Sequence, residues 1–93
     1  MVEITFYSIP GCSHCANAKQ YMDVNKIAYT LIMLETEEQQ KVFKANFDFV
    51  ETMPFFIVEE DGVAEHYSTF REHMFPKINE MKKRGVLPYV GSD

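Results

Sequence analysis

The stretch Phe6-Tyr7-Ser8-Ile9-Pro10-Gly11-Cys12-Ser13-His14-Cys15 decides the fold of this 93-residue chain. Residues 2–8 begin by alternating apolar and polar side chains and are rich in strand-forming types, which predicts a β-strand. Ile9-Pro10-Gly11 is typical of a loop. The two cysteines of the chain therefore follow a strand directly, at the point where the pattern changes.

From Ser13 onward the pattern is helical. Cys15, Ala18 and Met22 recur at the spacing that places side chains on one face of a helix. Asn25 is the expected end of this helix. The sequence therefore predicts a strand, a short loop, and a helix that opens at the cysteine pair.

A second strand and helix follow. Residues 28–34 form a mostly apolar run of strand length, which is typical of a strand buried on both faces. Thr36-Glu37-Glu38-Gln39 fits a capping box, in which the threonine and glutamine side chains satisfy free backbone N–H groups. We expect a helix to about Ala45, with Val42 and Phe43 directed inward.

The next elements form a hairpin. Residues 46–53 predict an irregular, aromatic-rich connection that ends at Met53-Pro54. Phe55 to Glu59 predicts a third strand and Val63 to Tyr67 a fourth. Asp61-Gly62 between them is a strong hairpin signal.

The last element is a helix. Thr69 to Glu72 fits another capping box, and Pro76 should kink or split the helix near Phe75. Gly85 suits a left-handed C-terminal cap. The apolar stripe of this helix comprises Phe70, Met74, Ile78 and Met81. We expect one domain over residues 1–85, followed by a loose C-terminal tail over residues 86–93.

The element order β-α-β-α-β-β-α predicts an α/β fold. The first βαβ unit should be parallel with a right-handed crossover, and the hairpin adds an antiparallel pair. A mixed four-stranded sheet with helices on both faces is the expected result.

Composition limits the function classes. Hydrophobic residues make up 46% and charged residues 25%, an ordinary globular balance. The formal charge of −5 argues against non-specific binding to nucleic acid or to an anionic membrane. Residues 1–4 lack the pattern of a signal peptide, and no apolar run is long enough to span a membrane. We expect a cytoplasmic protein.

The position of the cysteines assigns them different roles. Cys12 falls at the start of a helix, where free N–H groups and the positive end of the helix dipole favour a thiolate. Cys15 lies one turn further and should be more buried. Cys12 is therefore the expected nucleophile, and Cys15 resolves the mixed disulfide. His14, through its backbone N–H and its ring, and Ser13 are the residues expected to tune the thiolate.

Three other interpretations of the pair stay open. The cysteines could be incidental core residues. They could supply half of a zinc site, with further ligands from His14, His66 or His73. They could also bind an iron–sulfur cluster, which needs four thiolates and so a dimer or external thiols.

The chain resembles the glutaredoxin family, within the thioredoxin-like fold, over about residues 2–84. The resemblance is carried by Phe6-Tyr7-Ser8 running into Cys12-Ser13-His14-Cys15, Ala18-Lys19, Thr52-Met53-Pro54, Asp61-Gly62, and a last helix that opens near Ser68-Thr69.

The resemblance implies that Pro54 is cis and faces the cysteines, and that the main chain of Met53 pairs with an extended substrate. It implies that Thr52, Met53, Pro54, Ser68 and Thr69 bind glutathione. It also implies a glutathione-dependent thiol–disulfide oxidoreductase, a monomer without a bound cofactor and with glutathione as co-substrate. Protein disulfides, including that of ribonucleotide reductase, would be among its substrates.

Two departures from the family pattern bear on the reductant. The position that is often Lys, three residues before the first cysteine, is Ile9. The Gly-Gly pair and the acidic residue that often precede and open the last helix are absent from Glu65-His66-Tyr67-Ser68-Thr69. Arg71, shortly after, is expected on a solvated helix face. Alternatives are a redoxin recharged by thioredoxin reductase, a glutathione-ligated iron–sulfur carrier, and a non-catalytic binding module.

Overall fold

The computed structural model describes residues 1–91, which contain four strands and three α-helices. They are β1 Val2–Ser8, α1 Ser13–Val24, β2 Thr30–Met33, α2 Glu37–Asn46, β3 Phe55–Glu60, β4 Val63–Ser68 and α3 Phe75–Arg84, with a π-helical segment, Phe70–Met74, directly before α3. The predicted order β-α-β-α-β-β-α is confirmed. Within the described residues, no helix is long and apolar enough to cross a membrane.

The strands form one mixed sheet in the order β2-β1-β3-β4. β1 is parallel to β2 and antiparallel to β3, with Phe6 opposite Phe56. β3 and β4 are joined by Asp61 and Gly62, whose φ angles of 53° and 83° suit the tight hairpin turn that the sequence predicted. The inner position of β1 fixes the point from which the cysteine loop leaves the sheet.

Each face of the sheet carries its own core. On one face, Phe6 and Phe56 pack under the buried stripes of α1 and α3, which include Ala18, Met22 and Ile78. On the other face, the described core comprises Leu34, Phe43, Val50 and Phe55. Because side chains alternate along a strand, Phe55 and Phe56 supply one ring to each face. The predicted sheet with helices on both faces is confirmed.

The prediction that residues 28–34 form a strand buried on both faces is wrong. β2 covers only Thr30–Met33 and lies at the edge of the sheet, paired with β1 alone. Leu31 and Ile32 are 36% and 37% exposed, and burial returns only at Leu34. Hydrophobicity alone cannot distinguish an edge strand from a central one, because strand order is set by contacts distant in sequence.

In α2 the predicted capping box is present, with the Thr36 side chain accepting from the Gln39 N–H and the Gln39 side chain accepting from the Thr36 N–H. Phe43 is buried as predicted, whereas Val42 is 58% exposed. The two neighbours lie about 100° apart around the helix, so the sheet covers only one of them.

Residues 86–90 are not the loose tail that the sequence predicted. Leu87 is buried in the core between the sheet and α1. The Ala28 N–H donates to the Pro88 carbonyl at 2.9 Å, and the Val90 N–H donates to the Lys26 carbonyl. The segment is therefore held against the end of α1, while residues 92–93 of the predicted tail lie outside the described residues.

Candidate active site

Cys12 is the N-cap of α1, as the sequence predicted. Its backbone is extended, with φ −88° and ψ 107°, and its Sγ accepts a hydrogen bond from the Cys15 N–H at 3.2 Å. The sulfur therefore occupies the place of the oxygen in an ordinary N-cap residue, where the free N–H groups and the helix dipole favour negative charge. The donor is the N–H of Cys15 rather than that of His14, which the sequence suggested.

Cys15 is the buried member of the pair, as predicted. It is 2% exposed and forms part of the core under α1, whereas Cys12 is half-buried. Burial is the main cause that raises the pKa of Cys15 to about 11, and its hydrogen bond with Cys12 adds to the rise. The chain thus presents one thiol at a helix start and holds the second as a protonated thiol behind it.

Ser8 is a site residue that sequence reasoning missed. It is 4% exposed at the end of β1, and hydrogen bonds from its side chain and from the Ile9 backbone oppose the rise in the pKa of Cys15. The signal was available, because Ser8 continues the inward alternation of Ile4 and Phe6 and is the one polar residue of that series. A polar residue at such a position needs a hydrogen-bonding partner.

A groove of about 730 Å³ lies beside the first turns of α1. Residues from three segments line it, and neither cysteine is among them: four residues between His14 and Tyr21 of α1, the loop Thr52-Met53-Pro54, and five residues between Thr69 and Phe75. The Met53–Pro54 peptide bond is cis, as the resemblance implied. We call this hollow the Pro54 groove.

Four of the five residues predicted to bind glutathione line the Pro54 groove, namely Thr52, Met53, Pro54 and Thr69. Ser68 does not line it. It is the last residue of β4, where it pairs with Phe55. Of the two residues expected to tune the thiolate, His14 lines the groove and Ser13 is the exposed first residue of α1.

The prediction of a capping box at Thr69 to Glu72 is wrong. The Thr69 side chain accepts no N–H of the following turn, and its backbone has φ 62° and ψ 142°. The Thr69 N–H donates instead to the Pro54 carbonyl at 2.9 Å. The contact with the cis proline loop thus replaces the local cap, and the chain enters a π-helical turn, closed by the Met74 N–H on the Thr69 carbonyl.

Pro76 acts as predicted. The last helix is divided, and regular α3 begins at Phe75 with Pro76 in its first turn. Proline fits this place because its missing N–H would have no intrahelical partner there. Phe70 and Phe75 then flank Tyr21 of α1 at centroid distances of 5.3 and 5.4 Å.

Several residues that line the groove were not predicted to do so. Tyr21, Phe70 and Phe75 contribute aromatic side chains to its lining. Arg71 and Glu72 contribute one positive and one negative charge. Arg71 was expected on a solvated face, and it is exposed, yet it lines the groove. No local pattern pointed to these residues, because the π-helical turn changes which side chains point toward α1.

Within residues 1–91, no group of three or more His, Cys, Asp and Glu side chains is placed to hold a metal ion. His66 stacks on Phe49 with a centroid distance of 5.5 Å, and His73 contacts Ser68 and Thr69. Two of the three histidines considered for a zinc site, His66 and His73, therefore contact other residues, and His14 lines the Pro54 groove.

Comparison with solved structures finds the same fold repeatedly. Glutaredoxin 1 from Francisella tularensis, crystallised with cacodylate, is 19% identical, with a TM-score of 0.63 and coverage of 92% of this chain and 98% of that chain. Thioredoxin from Fasciola hepatica is 17% identical, with a TM-score of 0.59 and coverage of 89% and 79%. A buckwheat glutaredoxin–glutathione complex is 20% identical, with a TM-score of 0.57 and coverage of 92% and 73%. At these identities the likeness establishes the fold alone.

No curated protein sequence matches the chain significantly. The sequence model of one family, Glutaredoxin, matches residues 4–63, which include both cysteines, the cis proline and the hairpin turn. Because that match covers most of the chain and includes the Cys12–Cys15 pair, the protein belongs to the glutaredoxin family.

Proposed function

We propose that this protein is a glutathione-dependent thiol–disulfide oxidoreductase that reduces protein disulfides or glutathione mixed disulfides through Cys12 and Cys15. The observation that carries the proposal is the Sγ of Cys12 at the start of α1, hydrogen-bonded to the N–H of the buried Cys15 at 3.2 Å. This arrangement favours one thiolate and keeps the second thiol within one helical turn of it.

The reaction begins when the Cys12 thiolate attacks one sulfur of the substrate disulfide. A new sulfur–sulfur bond joins Cys12 to that sulfur, the substrate bond breaks, and the departing sulfur leaves as a thiolate. Cys15 then attacks Cys12 Sγ, and the second substrate sulfur leaves. The substrate gains two electrons and two protons, one proton from Cys15 and one from the solvent to which Cys12 had lost its own, and the protein is left with a Cys12–Cys15 disulfide.

The raised pKa of Cys15 bears on the second step. With a pKa of about 11, Cys15 holds its proton at neutral pH and must lose it as it attacks. The departing substrate thiolate is a base that the reaction itself creates, and in this proposal it takes the proton of Cys15. Cys15 therefore stays unreactive until a mixed disulfide has formed at Cys12.

Glutathione completes the cycle in this proposal. One molecule attacks the Cys12–Cys15 disulfide and a second resolves the product, which releases oxidised glutathione and the dithiol. In a monothiol route, glutathione itself resolves the Cys12 mixed disulfide and Cys15 is dispensable. No bound cofactor is required.

The proposed glutathione contacts are the loop Thr52-Met53-Pro54 and the turn at Ser68 and Thr69. The loop offers main-chain groups beside the groove, and Thr69 offers a hydroxyl. The family match and the buckwheat complex, which contains glutathione on a similar fold, support this proposal. The proposed protein substrates, among them ribonucleotide reductase, rest on the family resemblance, as do the monomeric state and the cytoplasmic location.

The test is reduction of a mixed disulfide of glutathione with two recycling systems in parallel. One contains glutathione and glutathione reductase, and the other contains thioredoxin reductase alone, with NADPH oxidation followed in both. Turnover with glutathione only is the expected result. Cys12→Ser is the inactive control, and Cys15→Ser reports on the monothiol route.

Turnover with thioredoxin reductase only would overturn the glutathione part of the proposal. Ile9 and the absence of the Gly-Gly-acid sequence favour this second candidate, a redoxin recharged by thioredoxin reductase. Visible absorbance after anaerobic purification would instead favour an iron–sulfur carrier.

A further inference from the structure

Thr69 has a backbone conformation that threonine rarely adopts. Its φ of 62° and ψ of 142° lie close to a region that is populated almost only by glycine. A β-branched side chain is the least suited to positive φ, so this conformation persists only where the surroundings impose it. Thr69 also lines the Pro54 groove, so the conformation decides what the groove presents there.

Two contacts hold this conformation. The Thr69 N–H donates to the Pro54 carbonyl at 2.9 Å, which ties the turn to the loop that carries the cis proline. On the other side, Nδ1 of His73 lies 2.6 Å from the Ser68 carbonyl oxygen and 2.9 Å from Thr69 Oγ1. A single ring nitrogen therefore contacts both residues of the turn.

These distances fix the direction of the hydrogen bonds. A carbonyl oxygen only accepts, so at 2.6 Å from the Ser68 oxygen Nδ1 must carry a hydrogen. A protonated Nδ1 has no lone pair for the Thr69 hydroxyl, so Thr69 Oγ1 is a second acceptor of the same N–H. The hydroxyl hydrogen of Thr69 is consequently free to donate elsewhere.

We propose that His73 is a positioning residue that holds Thr69 so that its hydroxyl donates a hydrogen bond to a carbonyl or carboxylate oxygen of the disulfide bound in the Pro54 groove. His73 itself is exposed and does not line the groove. It acts through Thr69 and contacts neither the substrate nor the cysteines. The inference rests on the proposed thiol–disulfide exchange but not on the identity of the recycling reductant.

The test measures single turnovers of the reduced protein with three disulfides in excess. Oxidised glutathione and the disulfide of N-acetylcysteine methylamide both carry carbonyl groups, whereas cystamine, whose ends are ammonium groups, carries no oxygen acceptor. For each, the half-saturating concentration and the limiting rate are measured separately. The variants are His73→Leu, which removes the donor, and His73→Asn, whose amide nitrogen occupies the same place along the side chain as Nδ1.

His73→Leu should raise the half-saturating concentration of the carbonyl-containing disulfides by about threefold to tenfold, the value of one neutral hydrogen bond. The limiting rate, the reaction with cystamine, and the alkylation of Cys12 by iodoacetamide should not change. His73→Asn should restore the wild-type half-saturating concentration. In a Thr69→Gly background, which removes both the hydroxyl and the backbone strain, His73→Leu should have no further effect.

Four results would overturn the proposal: no effect of His73→Leu, an equal effect on all three disulfides, no rescue by His73→Asn, or an undiminished effect in the Thr69→Gly background. Failure of the proposed function is distinct from these. A wild-type protein that reacts with the N-acetylcysteine methylamide disulfide but not with oxidised glutathione would refute the glutathione specificity, while the same variants would still decide the role of His73.

Discussion

Cys12 and Thr69 each stand directly before a helical segment that lines the Pro54 groove, and their backbones differ. Cys12 has φ −88°, and its sulfur accepts the N–H of Cys15, three residues away. Thr69 has φ 62°, and its N–H donates to Pro54, directly beyond the end of the β3–β4 ladder. The start of α1 at Cys12 is stabilised by a residue close to it in the sequence. The turn at Thr69 is stabilised by Pro54, which comes close only when the chain folds.

The two capping boxes that the sequence predicted, at Thr36 and at Thr69, show the same contrast between a local and a non-local contact. Thr36 and Thr69 both stand three residues before a Gln or Glu, and both predict a capping box. Thr36 forms it, with φ −106°. Thr69 does not, because its N–H donates to Pro54 and its hydroxyl oxygen accepts from His73. A capping box therefore forms only where no other contact competes for the same groups.

The largest expected effect comes from substituting Cys12, the residue at the start of α1. Cys12→Ser should lower turnover with a glutathione mixed disulfide by several orders of magnitude, because a serine hydroxyl does not replace a thiolate in exchange at sulfur. Cys15→Ser should retain turnover in the presence of glutathione, through the monothiol route. NADPH-coupled rates measure both, and comparable activity in Cys12→Ser would contradict the mechanism.

The next prediction concerns a contact that only folding creates. Leu87→Ala should lower the free energy of unfolding by about 2–5 kcal/mol, the range for a truncated core leucine. Leu87 is 7% exposed, whereas Val90 in the same segment is 65% exposed, so Val90→Ala should change stability by less than about 0.5 kcal/mol. Urea denaturation compares them, and equal losses would mean that the segment does not dock through Leu87.

The third prediction uses the burial of Cys15. Its pKa is about 11 in the folded protein against an ordinary value of 9.0, so between these pH values the unfolded chain binds fewer protons than the folded one. The free energy of unfolding of the reduced protein should therefore fall as pH rises from 9 to 11, by about 2 kcal/mol more than in Cys15→Ser. Denaturation in the presence of a reductant measures the difference. Parallel losses in both proteins would show that Cys15 is not responsible.

The smallest expected effects are the changes in stability when Thr69 and Thr36 are each replaced by glycine. Thr69→Gly should raise the free energy of unfolding by about 1 kcal/mol, because glycine adopts the positive φ without strain. Thr36→Gly should lower it by a few tenths of a kcal/mol, because the capping oxygen is lost from a position that glycine tolerates. Thermal or urea denaturation of the two variants gives opposite signs if the interpretation is right. A loss of stability in Thr69→Gly would contradict it.

The cysteine pair, α1 and the hairpin could be predicted from sequence because each depends on residues close together in the chain. Alternation in Val2–Ser8, the helical spacing of Cys15, Ala18 and Met22, and the turn at Asp61-Gly62 all appear in the structure. The different placement of the two thiols was also predictable, since Cys12 lies at the helix start and the next turn buries Cys15. Their roles as nucleophile and resolving thiol stay a prediction. The cis bond before Pro54 came from the resemblance and not from the residues.

Tertiary structure alone decided which apolar segments are covered and how the groove is walled. β2 lies at the edge because strand order depends on pairing between distant segments, and Leu87 is buried because α1 and the sheet leave room for it. Thr69 has its unusual backbone because Pro54 and His73 both bind the turn. Sequence determined where the two thiols lie, because a helix start is local. The shape of the Pro54 groove was left to the fold, because the hydrogen bond from Thr69 to Pro54, a residue that the hairpin brings close, overrides a local capping preference that is worth only about 1 kcal/mol.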